Sequence, residues 1–71
     1  MKPVIDARGL EPPQPFELVM EAIADLRPGE GVKLLLDRMP YPLFRILDRD
    51  RYRYESRVRD DGVVEIDIVA P

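Results

Sequence analysis

The sequence contains no cysteine, histidine, threonine, asparagine or tryptophan, and it has a single serine and a single glutamine. Without histidine or cysteine, no side chain has an ordinary pKa near neutrality, so proton transfer would need a strongly shifted carboxylate. The soft ligands of zinc, copper and iron–sulfur sites are missing, and so are the Cys–His and Ser–His nucleophile pairs. We therefore expect no metal, no cofactor and no enzymatic activity.

Long apolar runs are missing as well. No run exceeds three residues, the length of Leu34–Leu36, which is far too short to cross a bilayer, and a carboxylate at Asp6 precedes any apolar run, unlike a signal peptide. The 71 residues are 45% hydrophobic and 35% charged, with a net charge of −3, as in an ordinary globular protein. We expect a single domain over residues 1–71 that is soluble, cytoplasmic and not bound to a membrane.

The first half of the chain combines short strands with one helix. A strand is expected at 3–7, after which the prolines within 12–15 fix φ at values that suit a helix entry. Apolar residues then recur at helical spacing up to a turn at 27–31. They are Phe16, Val19, Met20, Ile23 and Leu26. A second strand at 32–37 follows, and because a helix connects the two strands, they should be parallel.

The second half begins with another helix and ends in a hairpin. Pro40 and Pro42 prepare a helix entry, and a short apolar stripe fades at 48–50. From residue 51 to residue 59 the pattern alternates with period two, and a last strand runs through 64–68. The stripe consists of Leu43, Phe44 and Leu47.

The register of the hairpin follows from matching its faces. A two-residue turn would place Val58 opposite Glu65 and mix the apolar and charged faces. A three-residue loop at 60–62 instead pairs Val58 with Val64 and Arg57 with Glu65, and Gly62 can adopt positive φ. The element order is therefore βαβαββ. We expect a two-layer α/β sandwich in which both helices cover one face of a four-stranded mixed sheet and the open face is charged.

Residues 6–15 carry a resemblance to a known family. They read Asp-Ala-Arg-Gly-Leu-Glu-Pro-Pro-Gln-Pro. This run resembles the pattern Asp-x-Arg-Gly-Leu-x-Cys-Pro-x-Pro of the TusA/SirA sulfur-carrier family, and the later Pro-Gly-Glu at 28–30 matches as well. The family's sulfur-bearing cysteine falls at Pro12 in this chain. Since persulfide relay requires a thiolate, the resemblance implies the fold but not the sulfur-carrier activity.

A cysteine-free sister family, described only as a domain of unknown function, is more similar still. Its members show Arg-Gly-Leu-Glu-Pro-Pro, here at 8–13, and Asp-Arg-x-Pro after the second strand, here at 37–40. The resemblance implies a TusA-like fold without an established activity. Relatives occur alone or joined to other domains, including hemerythrin-like ones, which suits an accessory or regulatory module.

The leading candidate site lies where the two parallel strands end. Ligands of α/β folds commonly bind beyond such strand ends, and Arg8 and Arg38 near two helix N-termini could hold a carboxylate or phosphate. The alternative is an Arg8–Asp37 or Asp6–Arg38 pair that only ties the loops together, and the prolines favour it because they lack N–H donors. The predicted recognition residues are Arg8, Glu11, Asp37 and Arg38.

Arginines crowd the segment 38–59, which has seven of them against three acidic residues. With Tyr52 and Tyr54 nearby, this row indicates a nucleic-acid or partner surface, because RNA bases stack on exposed rings. Strand alternation, however, sends both tyrosines to the core face, and acidic residues lie among the arginines, which favours cross-strand charge pairing. The row consists of Arg51, Arg53, Arg57 and Arg59.

The leading hypothesis is a non-catalytic binding or regulatory module that acts with a protein partner or a small anionic ligand. RNA binding through the arginine-rich hairpin and accessory docking in sulfur relay are the alternatives. An enzyme that uses only carboxylates would need a pocket around Asp6, Glu11 or Asp37. We expect a monomer or a weak homo-oligomer.

Overall fold

The computed structural model describes residues 2–71 and has the element order expected from the sequence. The predicted domain start at Met1 lies outside the described residues. Prolines begin both helices: Pro13 and Pro40 stand at the N-cap positions, and Pro15 and Pro42 lie in the first turns. The elements are β1 (Val4–Asp6), α1 (Gln14–Ala24), β2 (Gly31–Leu36), α2 (Tyr41–Arg49), β3 (Arg53–Val58) and β4 (Val64–Val69).

The four strands form one mixed sheet in the order β1-β2-β4-β3. β1 is parallel to β2, as predicted, while β4 runs antiparallel to both β2 and β3. The predicted hairpin register is confirmed, with Val58 opposite Val64 and Arg57 opposite Glu65. The Arg59 N–H donates to the Val63 carbonyl at 2.8 Å, and Gly62 has a φ of 88°, as the three-residue loop requires.

Both helices cover one face of the sheet, so the core is a single layer between them and the strands. Alternate residues of β2 and β4 are buried, and α1 and α2 each contribute two fully covered side chains. The predicted sandwich architecture is therefore confirmed. The central residues are Val19, Ile23, Val32, Leu34, Leu36, Leu43, Leu47, Val64, Ile66 and Ile68.

The structure corrects three details of the sequence reading. Helix α1 begins at Gln14, so Phe16 lies in its first turn, beyond the sheet, and is 40% exposed instead of buried in the core. Arg51 is not part of the strand: with a φ of 65° it ends helix α2, and β3 begins at Arg53. The open face of the sheet is not wholly charged, because the alternation of β1 and β2 also places Val4 and Leu35 on it.

Candidate functional site

A pocket lies where β1 and β2 end. Its volume is about 280 Å³, and it lies between the loop that follows β1, the loop that follows β2 and the first turns of both helices. The core closes its floor through Ala7, Val19, Leu36 and Leu43, which are all buried. We call this feature the proline pocket, because five prolines line it: Pro12, Pro13, Pro15, Pro40 and Pro42.

The walls of the proline pocket are apolar and open to solvent. Leu10 is 39% exposed and Phe16 40% exposed, and Met39 completes the wall on the side of β2. Leu10 and Met39 lie in the two loops that follow the strands, and Phe16 lies in the first turn of α1, so no helix or strand packs over them completely. Exposed apolar area concentrated in a concave site is a mark of binding surfaces.

Arg8, one of the predicted recognition residues, is paired with Asp6 and does not line the proline pocket. Its Nε and one terminal nitrogen donate to the two oxygens of Asp6 at 2.8 and 2.7 Å, and its backbone N–H donates to Asp6 Oδ1 at 3.1 Å. These hydrogen bonds lower the pKa of the Asp6 carboxyl to about 2. Because the guanidinium is already engaged in a bidentate pair, Arg8 is poorly placed to hold an anion.

Asp37 ties the two loops together through a backbone contact. Its Oδ2 accepts the N–H of Gly9 at 2.7 Å, and the residue lines the proline pocket. Neither of the predicted tie pairs, Arg8–Asp37 or Asp6–Arg38, is present, because Asp6 and Arg8 satisfy each other within β1 and its loop. The two loops are therefore tied together, as the alternative to a binding site predicted, but Asp37 does so through the Gly9 N–H and not through an arginine.

Arg38 and Glu11, the other two predicted recognition residues, differ in position. Arg38 is exposed, lines the proline pocket and forms no ion pair or hydrogen bond through its side chain with residues 2–71. Glu11 is exposed and does not line the pocket; its backbone carbonyl accepts the N–H of Gln14 at 2.9 Å. Of the four predicted residues, Asp37 and Arg38 alone line the pocket.

The helix N-termini beside the pocket offer few donors to an anion. In α1, Pro13 and Pro15 have no N–H, and Gln14 donates its own to Glu11. In α2, Pro42 has no N–H, and the other amides of the first turn donate to nearby carbonyls. Those amides belong to Tyr41, Leu43 and Phe44. The backbone donors that normally hold a phosphate at a helix start are therefore mostly absent or occupied.

Two of the four residues of the arginine row, Arg57 and Arg59, are paired on the open sheet face. Arg57 donates to Glu65 at 3.1 Å and to Asp67 at 2.9 Å, and Arg59 pairs with Asp61 at 2.8 Å and with Glu65 at 3.3 Å. Partial burial by itself would raise the pKa of Glu65, but the hydrogen bonds from the two arginines outweigh it and lower the pKa. This pairing supports the cross-strand interpretation for Arg57 and Arg59. Arg51 and Arg53 are exposed and form no ion pair within residues 2–71.

The tyrosine next to these arginines is engaged as well. The Tyr54 ring stacks on Phe44 with 4.9 Å between ring centroids, and its hydroxyl donates to Asp48 at 2.8 Å. That hydrogen bond raises the pKa of Tyr54. The ring is therefore packed on the helix side of the sheet, where it is not free to stack on a base.

Two further features are missing from residues 2–71. No cluster of three or more acidic side chains is placed to hold a metal ion there. Neither helix in this part of the chain has the length and hydropathy that a bilayer crossing requires. The cytoplasmic location stays a prediction.

Comparison with known proteins identifies the family. A model of the uncharacterized conserved proteins of DUF2249 matches residues 4–70. The chain belongs to the DUF2249 family. No curated protein matches it. The DUF2249 chain is also similar to the crystal structure of a SirA-like protein from Desulfitobacterium hafniense, with 33% sequence identity and a TM-score of 0.81 over 94% of this chain and 95% of that one.

The resemblance stated from the sequence is thereby confirmed. The DUF2249 chain has a SirA-like fold and no cysteine. Pro12, where the sequence pattern predicts the position of the sulfur-carrier cysteine, lines the proline pocket. Sequence reasoning missed the pocket itself, because it treated the prolines as lost N–H donors and not as apolar walls. The signal was present: Leu10 and Met39 stand among prolines in two loops that the parallel strands bring together.

Proposed function

We propose that this domain is a non-catalytic binding module whose proline pocket accepts an apolar side chain of a partner protein. The observation that carries the proposal is an open, apolar cavity of about 280 Å³ at the strand ends, with Arg38, unpaired within residues 2–71, at its rim. Arg38 gives the partner a charged contact beside the apolar one. Hydrophobic anchors surrounded by polar contacts are the usual composition of such interfaces.

The pocket is small. Pockets that bind drug-sized ligands usually enclose roughly 300–1,000 Å³. A volume of about 280 Å³ lies at the lower end of that range, which leaves room for a large apolar side chain. Five prolines in the lining have a fixed φ, so this part of the wall loses little backbone entropy when the pocket is filled.

The small anionic ligand suggested by the sequence has weaker support. Arg8 is bound to Asp6, and the first turns of both helices offer few free N–H groups. Within the described chain, Arg38 is the one cationic side chain that lines the pocket. A single exposed cation in water attracts an anion weakly, whereas covering Leu10, Phe16 and Met39 would remove apolar surface from water.

Catalysis by carboxylates has equally little to rest on. Asp37 lines the pocket, but one of its oxygens already accepts the Gly9 N–H, and neither Asp6 nor Glu11 is part of the pocket wall. The low pKa of Asp6 keeps that carboxyl ionised at neutral pH, so it is no proton donor there. Docking onto a sulfur-relay partner is one form of our proposal, since Pro12 lines the pocket.

Affinity capture tests the proposal. The immobilised domain is exposed to an extract of the organism that encodes it, and bound proteins are quantified by mass spectrometry for the native chain and four variants. Leu10→Asp charges the pocket wall, and Val4→Asp is its control, since Val4 is 57% exposed on the other face of the sheet. Arg38→Ala removes the rim charge, and Arg45→Ala, at an exposed helix position, is its control.

The expected result is a partner that the native domain and both controls retain. Leu10→Asp should lose most of it and Arg38→Ala part of it, because a buried carboxylate costs more than a missing rim contact. Equal retention by Leu10→Asp would contradict the proposal, as would equal loss in Val4→Asp. Circular dichroism confirms that each variant folds before it is compared.

A further inference from the structure

The second surface of interest is the free edge of β3, which lies away from the proline pocket. β3 ends the sheet order β1-β2-β4-β3, and within residues 2–71 its six residues Arg53–Val58 have β4 as their one neighbouring strand. The edge is open: Ser56 is exposed, and Val58 is 60% exposed. An uncovered edge strand of this length is a template for pairing with another strand.

The direction of the backbone groups on this edge follows from the hairpin. Arg59 and Val63 form a hydrogen-bonded pair, and such pairs alternate with non-hydrogen-bonded ones along an antiparallel ladder. The even-numbered residues of β3 therefore direct their N–H and C=O groups away from β4. Those residues are Tyr54, Ser56 and Val58. Three donors and three acceptors thus stand ready for a partner strand.

We propose that the β3 edge pairs antiparallel with β3 of a second copy of this chain, centred on Ser56. In this register Ser56 lies opposite its own counterpart, and Tyr54 lies opposite Val58 of the second copy. Both outward-facing backbone sets are then matched, and the two sheets become one sheet of eight strands. The proposal concerns a different surface from the proline pocket and does not depend on it.

The charges and the length of β3 together select this register. Centring on Ser56 places Glu55 opposite Arg57 of the second copy, twice by symmetry. A shift that centres the pair on Glu55 would oppose two glutamates and set Arg53 against Arg57, and a shift to Arg57 would oppose two arginines. A shift that centres the pair on Tyr54 would also oppose Arg53 and Glu55. It would, however, place Ser56 and Val58 opposite residues that precede β3. The flanking Arg53 faces a second-copy Arg59 whose charge is already paired with Asp61 and Glu65.

Both members of the central charge pair have capacity for the contact. Glu55 forms no ion pair within residues 2–71, and its neighbour on β4 is Asp67, a like charge. Arg57 uses its Nε and one terminal nitrogen for Glu65 and Asp67, so further guanidinium N–H groups remain free. On the helix side, Val58 would cover the half-buried Tyr54 of the second copy.

Single-cysteine cross-linking tests the register, because the native chain has no cysteine. Paired Ser56→Cys residues would have Cα atoms about 5.5 Å apart, within the range of a disulfide. Paired Val58→Cys residues would lie about 14 Å apart along the strands, too far to bridge. Mild oxidation should therefore cross-link Ser56→Cys into a dimer and leave Val58→Cys, the matched control, monomeric.

Sedimentation equilibrium tests the association without a new bond. The native chain should show a mass that rises with concentration from 8.2 kDa towards twice that value. Ser56→Pro removes an outward N–H and should raise the dimer dissociation constant at least about tenfold, whereas Ser56→Ala should leave it unchanged. The Pro variant keeps its contacts with β4, since this N–H points away from that strand.

A charge-reversal mixture gives the sharpest outcome. Glu55→Arg alone and Arg57→Glu alone should each stay monomeric, and an equimolar mixture should restore a heterodimer, since each reversed charge then meets its opposite. A native chain that stays monomeric at millimolar concentration would overturn the proposal. So would equal cross-linking of Val58→Cys and Ser56→Cys, or an Arg57→Glu and Glu55→Arg mixture that does not associate although both variants fold.

Discussion

The proline pocket and the open sheet face are both exposed, but they differ in how far their side chains are paired within the chain. On the open face, acidic residues of β4 each meet several cations. Glu65 lies within ion-pair distance of three, which are Lys33, Arg57 and Arg59. Asp67 lies within ion-pair distance of Lys2 and Arg57. In the pocket, the walls are proline and aliphatic or aromatic side chains with few groups to pair.

The comparison teaches that conspicuous charge in the sequence need not mark surface that the fold leaves unsatisfied. The arginine row draws attention in the sequence, yet its charges at Arg57 and Arg59 are matched within the same chain. The quieter run of prolines leaves apolar surface that the chain itself does not cover. Surface that is not satisfied internally has the most to gain from a partner.

The largest expected effect is a difference in the free energy of unfolding between substitutions in the floor of the proline pocket and at its rim. Leu43→Ala, at a buried position that also lines the pocket, should lower the free energy of unfolding by about 2–5 kcal/mol. Leu10→Ala, at a rim position 39% exposed, should change it by no more than about 0.5 kcal/mol. Urea denaturation followed by circular dichroism measures both, and equal losses would show that the rim belongs to the core.

A smaller loss of stability is expected when Glu65, which pairs with three cations on the open face, is neutralised. Glu65→Gln leaves three cations without their shared anion, so the melting temperature should fall, and the loss should shrink in about 1 M salt because screening weakens the native pairs. Glu21→Gln is the control, since Glu21 is exposed on helix α1 and has no ion pair within residues 2–71. Thermal melts at low salt and at about 1 M salt measure the effect. Equal decreases in melting temperature for the two variants would show that the ion pairs of Glu65 do not stabilise the fold.

A gain in stability is expected at the boundary between helix α2 and the charged strand. Arg51 has a φ of 65°, a left-handed conformation that glycine adopts without steric cost. Arg51→Gly should therefore stabilise the fold by about 0.5–1 kcal/mol. The control is Arg53→Gly within β3, which should destabilise it. If Arg51→Gly lowered the free energy of unfolding in urea denaturation, Arg51 would not have the left-handed conformation and would belong to the charged strand instead.

The smallest effect concerns the pair between Asp6 and Arg8. The pKa of Asp6 is lowered from 3.8 to about 2, so its contribution is fully present above pH 3.8 and is lost as the pH falls through about 2. Asp6→Asn should therefore reduce the loss of stability between about pH 3.8 and pH 2. Carbon NMR titration of the Asp6 carboxyl measures the pKa directly, and a value near 3.8 would show that the pair does not form in solution.

Strand pairing could be predicted from the sequence, because buried and exposed side chains had to fall on matching faces of neighbouring strands. The register of the hairpin followed from keeping Val58 with Val64, and it holds because a slip of one residue would turn the buried face to solvent. The parallel pairing of β1 and β2 followed from the helix between them. In both cases the periodicity of the side chains leaves a single consistent arrangement.

Features that depend on three-dimensional placement were not predictable in this way. The stripe of α1 includes Phe16, but where the helix starts relative to the sheet decides whether that ring is covered. The alternation through 51–59 cannot reveal that Arg51 has positive φ, since an αL cap leaves the polar pattern intact. The pairing of Asp37 with a backbone N–H, in place of a predicted arginine, likewise depends on the path of the Gly9 loop.

The most direct test of the central claim is a titration of the isotope-labelled domain with two probes, p-cresol and inorganic phosphate, followed by amide NMR. If the strand-end site is apolar, p-cresol should shift the Leu10, Phe16 and Met39 amides to saturation, and Leu10→Asp should abolish the effect while phosphate leaves these amides unchanged. Saturable shifts with phosphate and none with p-cresol would contradict the account.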